Sequence, residues 1–321
     1  FDREFFLAHP ETLAVEWDPE DPPPPGHPIW RSQPDFTSDL VVETAAGAAI
    51  AAFRRDPSLV SFSLATNDNN RYGDSPGIRA DTRPMRYFRD LPDYSDLVFR
   101  FMNRVAEIVE KEFPDRFLGC LSYMWTEKVP SFPVHPMVMP YLTADRSQGY
   151  DVNFTEEDRQ LVEKWNEAGP RLIGVWDYLH SARHPFPRRA NLIVGQRVRD
   201  MARAGVRAYT AEMNPVWTFH GELPWMVARM LWDPSLKPGE LEEEFQKTFF
   251  GPAAGPMANF YKRAWRVWMF QGGEAHWVKY FENEDAIELF ADQDLVYMSE
   301  SLAKASELAG DGIYGRRVAA V

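Results

Sequence analysis

Apolar residues recur along this chain with two different periods, and segments of the two kinds alternate. Leu40, Val41, Ala45, Ala48 and Ala52 share one side of a helix predicted over residues 40–54. Ser38-Asp39 can cap that helix and Asp56-Pro57 ends it. Leu97, Phe101, Val105, Ile108 and Val109 repeat at helical spacing over 95–113, before Pro114-Asp115. Thr155-Glu-Glu-Asp158 reads as a helix start close to a capping box, with Leu161, Val162 and Trp165 following and Gly169-Pro170 as the stop. Ile193, Val194, Val198 and Met201 mark a helix over 191–204, with Gly205 just past its end. Between these lie five strand-like runs, at 59–66, 117–124, 136–142, 171–178 and 206–212; the third is the poorest because Pro140 interrupts it. Alternation of this kind predicts an α/β fold, a parallel sheet covered by helices. From Gly221 onward only helices are expected, at 222–231, 238–249, 254–269 and 284–309. The division that follows is a catalytic (β/α) barrel portion over 1–220 and an α-helical extension over 221–321. A (β/α)8 TIM barrel needs eight strands. With five visible and a first residue that is not Met, the first barrel strands are expected to precede Phe1.

The polar residues that follow each strand carry the candidate chemistry. The run 59–66 empties abruptly into Asn67, Asp68, Asn69 and Asn70, with Gly73 beyond. The second run leads to Tyr123, Trp125 and Glu127, and the third to Asp145 and Arg146. The fourth ends in Trp176-Asp177-Tyr178, and the fifth in Glu212 followed by Asn214 and Trp217. If all strands are parallel, these groups leave from one edge, where α/β enzymes place their sites. Carboxylates beside Trp and Tyr suggest a glycosidase cleft, because one carboxyl protonates the leaving oxygen while aromatic rings stack on the C–H face of a sugar. Asn67-Asp68 is the sharpest pair. In hydrolysis of 2-acetamido sugars the substrate's own acetamide oxygen serves as nucleophile, and the protein supplies a group that orients the acetamide and a neighbouring acid. The same residues have structural readings: an Asx-turn at Asn67-Asp68, a salt bridge at Glu212, and core packing for Trp176 and Tyr123, with Asp177 on the surface.

Composition narrows the choice. The formal net charge of −13 disfavours nucleic acid. No apolar stretch approaches the length of a membrane span. Cys120 is the single cysteine, so no intrachain disulfide forms, and a small buried hydrophobe is the expected role. Of seven histidines only His180 and His184 are closely spaced, in a loop-like Arg-His-Pro context, so neither a metal nor another cofactor is expected. No glycine-rich phosphate loop and no Gly-x-Ser-x-Gly elbow occur. Eleven Trp and twelve Tyr exceed what a core needs and agree with an oligosaccharide or polysaccharide as the partner. The oligomeric state is not encoded in any pattern seen.

Six segments in order resemble the bacterial family catalogued as domain of unknown function 4838: Phe6-Leu-Ala-His-Pro-Glu11, Arg31-Ser-Gln-Pro34, Ser61-Phe-Ser-Leu-Ala-Thr-Asn-Asp-Asn69, Val175-Trp-Asp-Tyr178, Gly205-Val-Arg-Ala-Tyr-Thr-Ala-Glu212 and Leu231-Trp-Asp-Pro234. The resemblance implies a (β/α)8 glycoside hydrolase group with a helical extension that includes endo-β-N-acetylglucosaminidases acting on N-glycans. It also implies export, to the periplasm, the cell surface or the medium. The resulting expectation is retaining, substrate-assisted cleavage at β-linked N-acetylglucosamine. Asn67 would orient the acetamide, Asp68 would be the acid/base with Glu212 as its rival, and Tyr123, Trp176, Asp177, Tyr178, Asn214 and Trp217 would bind sugar. An α-glucuronidase-like enzyme using two of Asp68, Asp177 and Glu212, with Arg146 or Arg183 for a uronate, is one alternative. A non-catalytic carbohydrate-binding barrel is the other.

Overall fold

The computed structural model describes residues 1–179, 188–213, 220–272, 275 and 288–321. Contacts divide the chain into two compact units, Phe1–Thr143 with Leu161–Val175, and Ala144–Gln160 with Trp176–Val321. The strands are β1 (Ser61–Ser63), β2 (Tyr87–Phe88), β3 (Leu91–Pro92), β4 (Phe117–Ser122), β5 (Val138–Ala144), β6 (Gly174–Tyr178) and β7 (Ala208–Glu212).

The first unit contains α1 (Arg3–Ala8), α2 (Asp39–Arg55), α3 (Pro76–Thr82) and α4 (Ser95–Val109). β1 pairs in parallel with β4, placing Phe62 opposite Leu118, and β4 pairs in parallel with β5, placing Leu121 opposite Tyr141. β6 is the next neighbour of β5. Strand alternation sorts the side chains into two rows. Phe62, Leu118, Cys120 and Leu142 form the helix-facing row, with the Phe62 ring 6.4 Å from Phe53 of α2, and α2 packs on α4. Ser61, Ser63, Gly119, Leu121 and Tyr141 form the other row. A Cβ at Gly174 would lie 2.6 Å from the Tyr141 ring, so that glycine makes room for the tyrosine. Cys120 is buried as expected, and burial pushes its thiol up to about 12.

Several boundaries differ from the sequence pattern for local reasons. The first strand is regular only over Ser61–Ser63, although Leu64 N still donates to Gly119 O at 2.8 Å. Beyond it the backbone of Asn67 and Asn69 bonds Gln33 instead of a strand. α4 ends at Val109, short of Phe113, where Glu112 N and Phe113 N both donate to Val109 O in a closing turn before Pro114. β5 runs two residues past the expected end despite Pro140, which costs one ladder donor.

The second unit holds the first part of α5 (Val152–Glu167), up to Gln160, and α6 (Asn191–Arg203), α7 (Glu222–Trp232), α8 (Pro238–Phe250), α9 (Ala254–Met269), α10 (Asp292–Ala309) and α11 (Ile313–Ala319). α5 starts a turn earlier than Thr155 because Asp151 Oδ1 accepts from Asn153 N and Phe154 N. α9 spans the predicted 254–269. The last long helix starts at Asp292, later than the expected 284, where Asp294 Oδ2 accepts from Ala291 N at 3.0 Å; residues 288–291 lie before it, and residues 284–287 are outside the described residues. α9 and α10 pack together around Phe250, Met257, Phe260, Tyr261, Met298 and Val318. β6 and β7 are neighbours, and Leu179 N donates to Glu212 O at 2.8 Å, which brings their carboxyl ends together. The architecture is mixed α/β with parallel strand pairing.

One glycine yields a stability prediction. Gly73 has φ +73°, and a Cβ there would stand 1.8 Å from the Ala14 carbonyl oxygen. Gly73→Ala therefore meets both backbone strain and a backbone clash. A loss of about 1–3 kcal/mol is expected, read as a lowered urea midpoint.

Candidate functional site

In the first unit the loop after β1 is held by a residue far away in sequence. Gln33 is fully buried; its Nε2 donates to Asn67 O at 2.6 Å and Asn69 O at 2.9 Å, and its Oε1 accepts from Asn67 N at 3.0 Å. Asn67 Nδ2 donates to Ser32 O at 2.9 Å, which settles the orientation of the Asn67 amide and directs Oδ1 away from that bond as an acceptor. The Asx-turn belongs to Asn69, whose Oδ1 accepts from Arg71 N at 3.0 Å. Asp68 is exposed. Nearby Tyr72 is almost fully buried and stacks on Tyr94 at 4.1 Å between centroids. Burial, reinforced by Tyr94 and Asp68 and opposed by Thr66, holds the Tyr72 phenol far above its ordinary range. Tyr72 is thus a neutral hydroxyl beside the candidate acid, a role its position in the Asn67–Gly73 loop did not announce.

Tyr123 follows β4, the parallel neighbour of β1, so it and Asn67-Asp68 leave from the same sheet edge. It is half-buried. A tight turn secures it, because Thr126 Oγ1 donates to Tyr123 O at 3.1 Å and Ser122 Oγ donates to Glu127 O at 3.0 Å. Glu127 is buried and paired with Arg89 at 2.8 Å. Trp165 Nε1 donates to the Glu127 carbonyl at 3.1 Å. That carboxylate serves the loop.

In the second unit, β6 and β7 present two different faces. On one, Trp176 Nε1 donates to Glu212 Oε1 at 3.2 Å; Trp176 is half-buried and Glu212 exposed. On the other, Asp177 is completely buried. Its Oδ1 accepts from Tyr178 N at 2.8 Å and Arg146 N at 3.2 Å, and its Oδ2 accepts from Tyr209 OH at 3.0 Å. Tyr178 is buried beside it. Tyr209 and Glu212 stand three apart along β7, so strand alternation turns them to opposite faces. Asn214, Trp217, Arg183, His180 and His184 lie outside the described residues.

Behind Asp177 runs a buried ion network. Arg146 makes a two-pronged contact with Asp158, Nε to Oδ2 at 3.1 Å and Nη2 to Oδ1 at 2.9 Å, and Arg197 adds a bond to Asp158 Oδ2 at 3.0 Å. Arg146 is therefore enclosed and does not line a uronate pocket; Arg183, the other arginine named for that role, lies outside the described residues. Asp145 caps its own turn through Ser147 and pairs with Arg188 at 3.1 Å. Burial raises Asp145 and Asp177 above the usual carboxylate range despite their arginine neighbours. Burial also opposes ionisation of Asp158, but Arg146 and Arg197 together outweigh it and hold that carboxyl low.

These opposite shifts predict a pH optimum of stability. Asp158 stabilises the fold above its unfolded value, near about pH 4, and loses that contribution as pH falls through its lower folded value. Asp145 and Asp177 act in reverse, adding stability as pH falls from neutral through their raised folded values. Unfolding free energy is expected to rise as pH falls from neutral through the raised values of Asp145 and Asp177, and to fall below the usual carboxylate value of about 4. Asp177→Asn, which keeps the acceptor for both backbone amides, should reduce the rise. Urea titrations at a series of pH values test this, and a steady decline from neutrality would contradict it.

Among the described residues no group of three or more His, Cys, Asp and Glu side chains is placed to hold a metal ion. No described helix is long and apolar enough to cross a membrane.

Parallel pairing of β1, β4 and β5, with helices packed on them, defines a mixed α/β protein. The chain belongs to the family described as domain of unknown function DUF4838, matched over residues 2–263. A solved structure similar to it is a mutant of the Thermobaculum terrenum O-GlcNAc hydrolase, at 11% identity and a TM-score of 0.48, with 88% of this chain and 62% of that chain covered. The present chain thus spans less than two thirds of that protein. No curated protein matches the chain.

Proposed function

We propose that this protein is a glycoside hydrolase that cuts β-linked N-acetylglucosamine in glycans, with retention by substrate assistance, on strands belonging to a (β/α)8 barrel. The observation that carries the reading is the Asn67-Asp68 arrangement: an amide oriented through Ser32, with Oδ1 left as an acceptor, followed directly by an exposed carboxyl at a strand exit. Asn67 Oδ1 accepts the acetamide N–H and aims the acetamide oxygen at the anomeric carbon. That oxygen bonds to the carbon as the glycosidic bond breaks, and Asp68 gives its proton to the leaving oxygen. Water then adds at the same carbon, Asp68 recovers a proton from it, and the acetamide is released with retained configuration. Trp176 offers a ring for stacking, and Glu212, steered by the indole N–H, accepts sugar hydroxyls. Tyr123, Asn214 and Trp217 join the substrate contacts. Asp177 and Tyr178, being buried, position β6 and the Arg146 turn.

An extracytoplasmic setting belongs to the same proposal, since intact glycoproteins are met there. The test is mass spectrometry of products after the full-length protein is incubated with N-glycoproteins and with hexosamine and uronate oligosaccharides. Glycans cut at N-acetylglucosamine are expected. Free uronic acid would replace this reading with an α-glucuronidase, and sugar binding without any product would replace it with a binding protein.

A further inference from the structure

The hairpin of β2 and β3 is built against its backbone preference. Arg89 and Asp90 take positive φ, +48° and +63°, as a two-residue turn between antiparallel strands requires, where asparagine and glycine would meet less resistance. The Arg89 side chain holds the turn in place. It lies 5.3 Å from the Phe88 ring centre and pairs at 2.8 Å with Glu127, in the turn that follows Tyr123. Arg86, just before β2, pairs at 2.9 Å with Asp96 in the first turn of α4, and Tyr94 N donates to Trp125 O at 2.7 Å. The hairpin is thus fixed to the exit of β4. Backbone strain that the surroundings hold in place gathers at ligand-binding elements.

The side chain that this mount presents is Tyr87. The two residues of β2 face opposite ways. Phe88 turns to a cavity that it lines with Lys128 and Phe132. Tyr87 turns to the other face and is 64% exposed. Burial raises the Tyr94 phenol against the pull of Arg83, and the Tyr87 hydroxyl adds to the rise, so these two phenols stand within electrostatic reach of each other. Tyr94 stacks on Tyr72 at 4.1 Å, and Tyr72 stands in the same relation to Asp68. Three tyrosines therefore lead away from Asp68, the first buried, the second half-buried and the third open to solvent. In the proposed reaction Asn67 addresses the sugar that is cut, and Asp68 addresses the oxygen that leaves. The tyrosines accordingly lead to the leaving-group side. An exposed phenol on a rigid mount offers a ring for the C–H face of a pyranose and a hydroxyl for its rim, and it gives up little rotamer freedom on binding.

We infer that Tyr87 binds a sugar unit on the leaving-group side, so that the bond cut joins two sugars rather than a sugar and a protein side chain. This rests on the reading of Asp68 as the acid.

The test is calorimetric titration of the full-length protein with thio-linked tri-N-acetylchitotriose, which resists hydrolysis, and with N-acetylglucosamine. The trisaccharide is expected to bind at least about tenfold more tightly than the monosaccharide. Tyr87→Ala should remove that advantage and leave the monosaccharide affinity as it was, whereas Tyr87→Trp should keep the advantage. The urea midpoint of each variant should match the parent, because the residue is exposed. A trisaccharide that binds no better than the monosaccharide would overturn the inference. So would an undiminished advantage in Tyr87→Ala, an equal weakening of both sugars, or a Tyr87-dependent gain seen only with a peptide carrying N-acetylglucosamine on serine. Because the probes are not turned over, a parent that yields no product while the Tyr87-dependent advantage persists would count against the hydrolase reading alone.

Discussion

Asp68→Asn is expected to slow the release of N-acetylglucosamine-containing products by about 10²–10⁴-fold. The substitution keeps size and hydrogen-bonding shape and removes only the transferable proton. Asp68 is exposed and sits outside the Gln33 clasp, so the urea midpoint should stay within experimental error of the parent. The chemistry supplies an internal control. A p-nitrophenyl leaving group needs little protonation, so the first step on such a substrate should lose far less than on a natural glycan. Glu212→Gln separates the rival assignment. If Glu212 only accepts sugar hydroxyls, its loss should weaken apparent substrate affinity while the leaving-group dependence stays that of the parent. Full activity of Asp68→Asn on a natural glycan would remove it as the acid, and a leaving-group-dependent loss in Glu212→Gln would transfer the role there.

The largest stability effect is expected at Arg146. Removing one partner from a buried ion network strands the other, at a cost of about 3–5 kcal/mol. Arg146→Met leaves Asp158 with only Arg197 and leaves Asp177 without the adjacent positive charge. Asp177 would then favour its protonated form still more strongly, since Arg146 is the main influence opposing burial there. The urea midpoint should fall by an amount corresponding to most of that range. The combined Arg146→Met and Asp177→Asn variant should recover part of the loss, because it also removes the buried carboxylate left without an adjacent positive charge. A single-variant loss below about 1 kcal/mol would mean that water reaches the site and that the network behaves as a surface pair.

The sequence by itself determined the alternation of elements. Apolar spacing at helical period located α2, α4 and α9 within a few residues, and five runs of strand character became the parallel-paired β1, β4, β5 and their neighbours β6 and β7. Gly205 was marked as the residue just past a helix end, and it has positive φ. These features are local: a helix face, a strand run or a glycine turn depends on residues a few positions apart. Family membership was legible too, from motifs that keep their order along the chain.

Only the tertiary structure decided what holds those motifs. Gln33 clasps the Asn67 loop from 34 residues away, and Asp158 joins Arg146 to Arg197 across separations of 12 and 39. No periodicity encodes such pairings, because the chain between the partners sets their approach. Tertiary packing also assigned neighbouring residues to opposite fates. Trp176 and Asp177 are adjacent in sequence, yet strand alternation puts the indole beside exposed Glu212 and seals the carboxylate against Tyr209 and Arg146. The sequence placed both at a strand exit. Which one meets solvent depends on what packs against each face of the sheet.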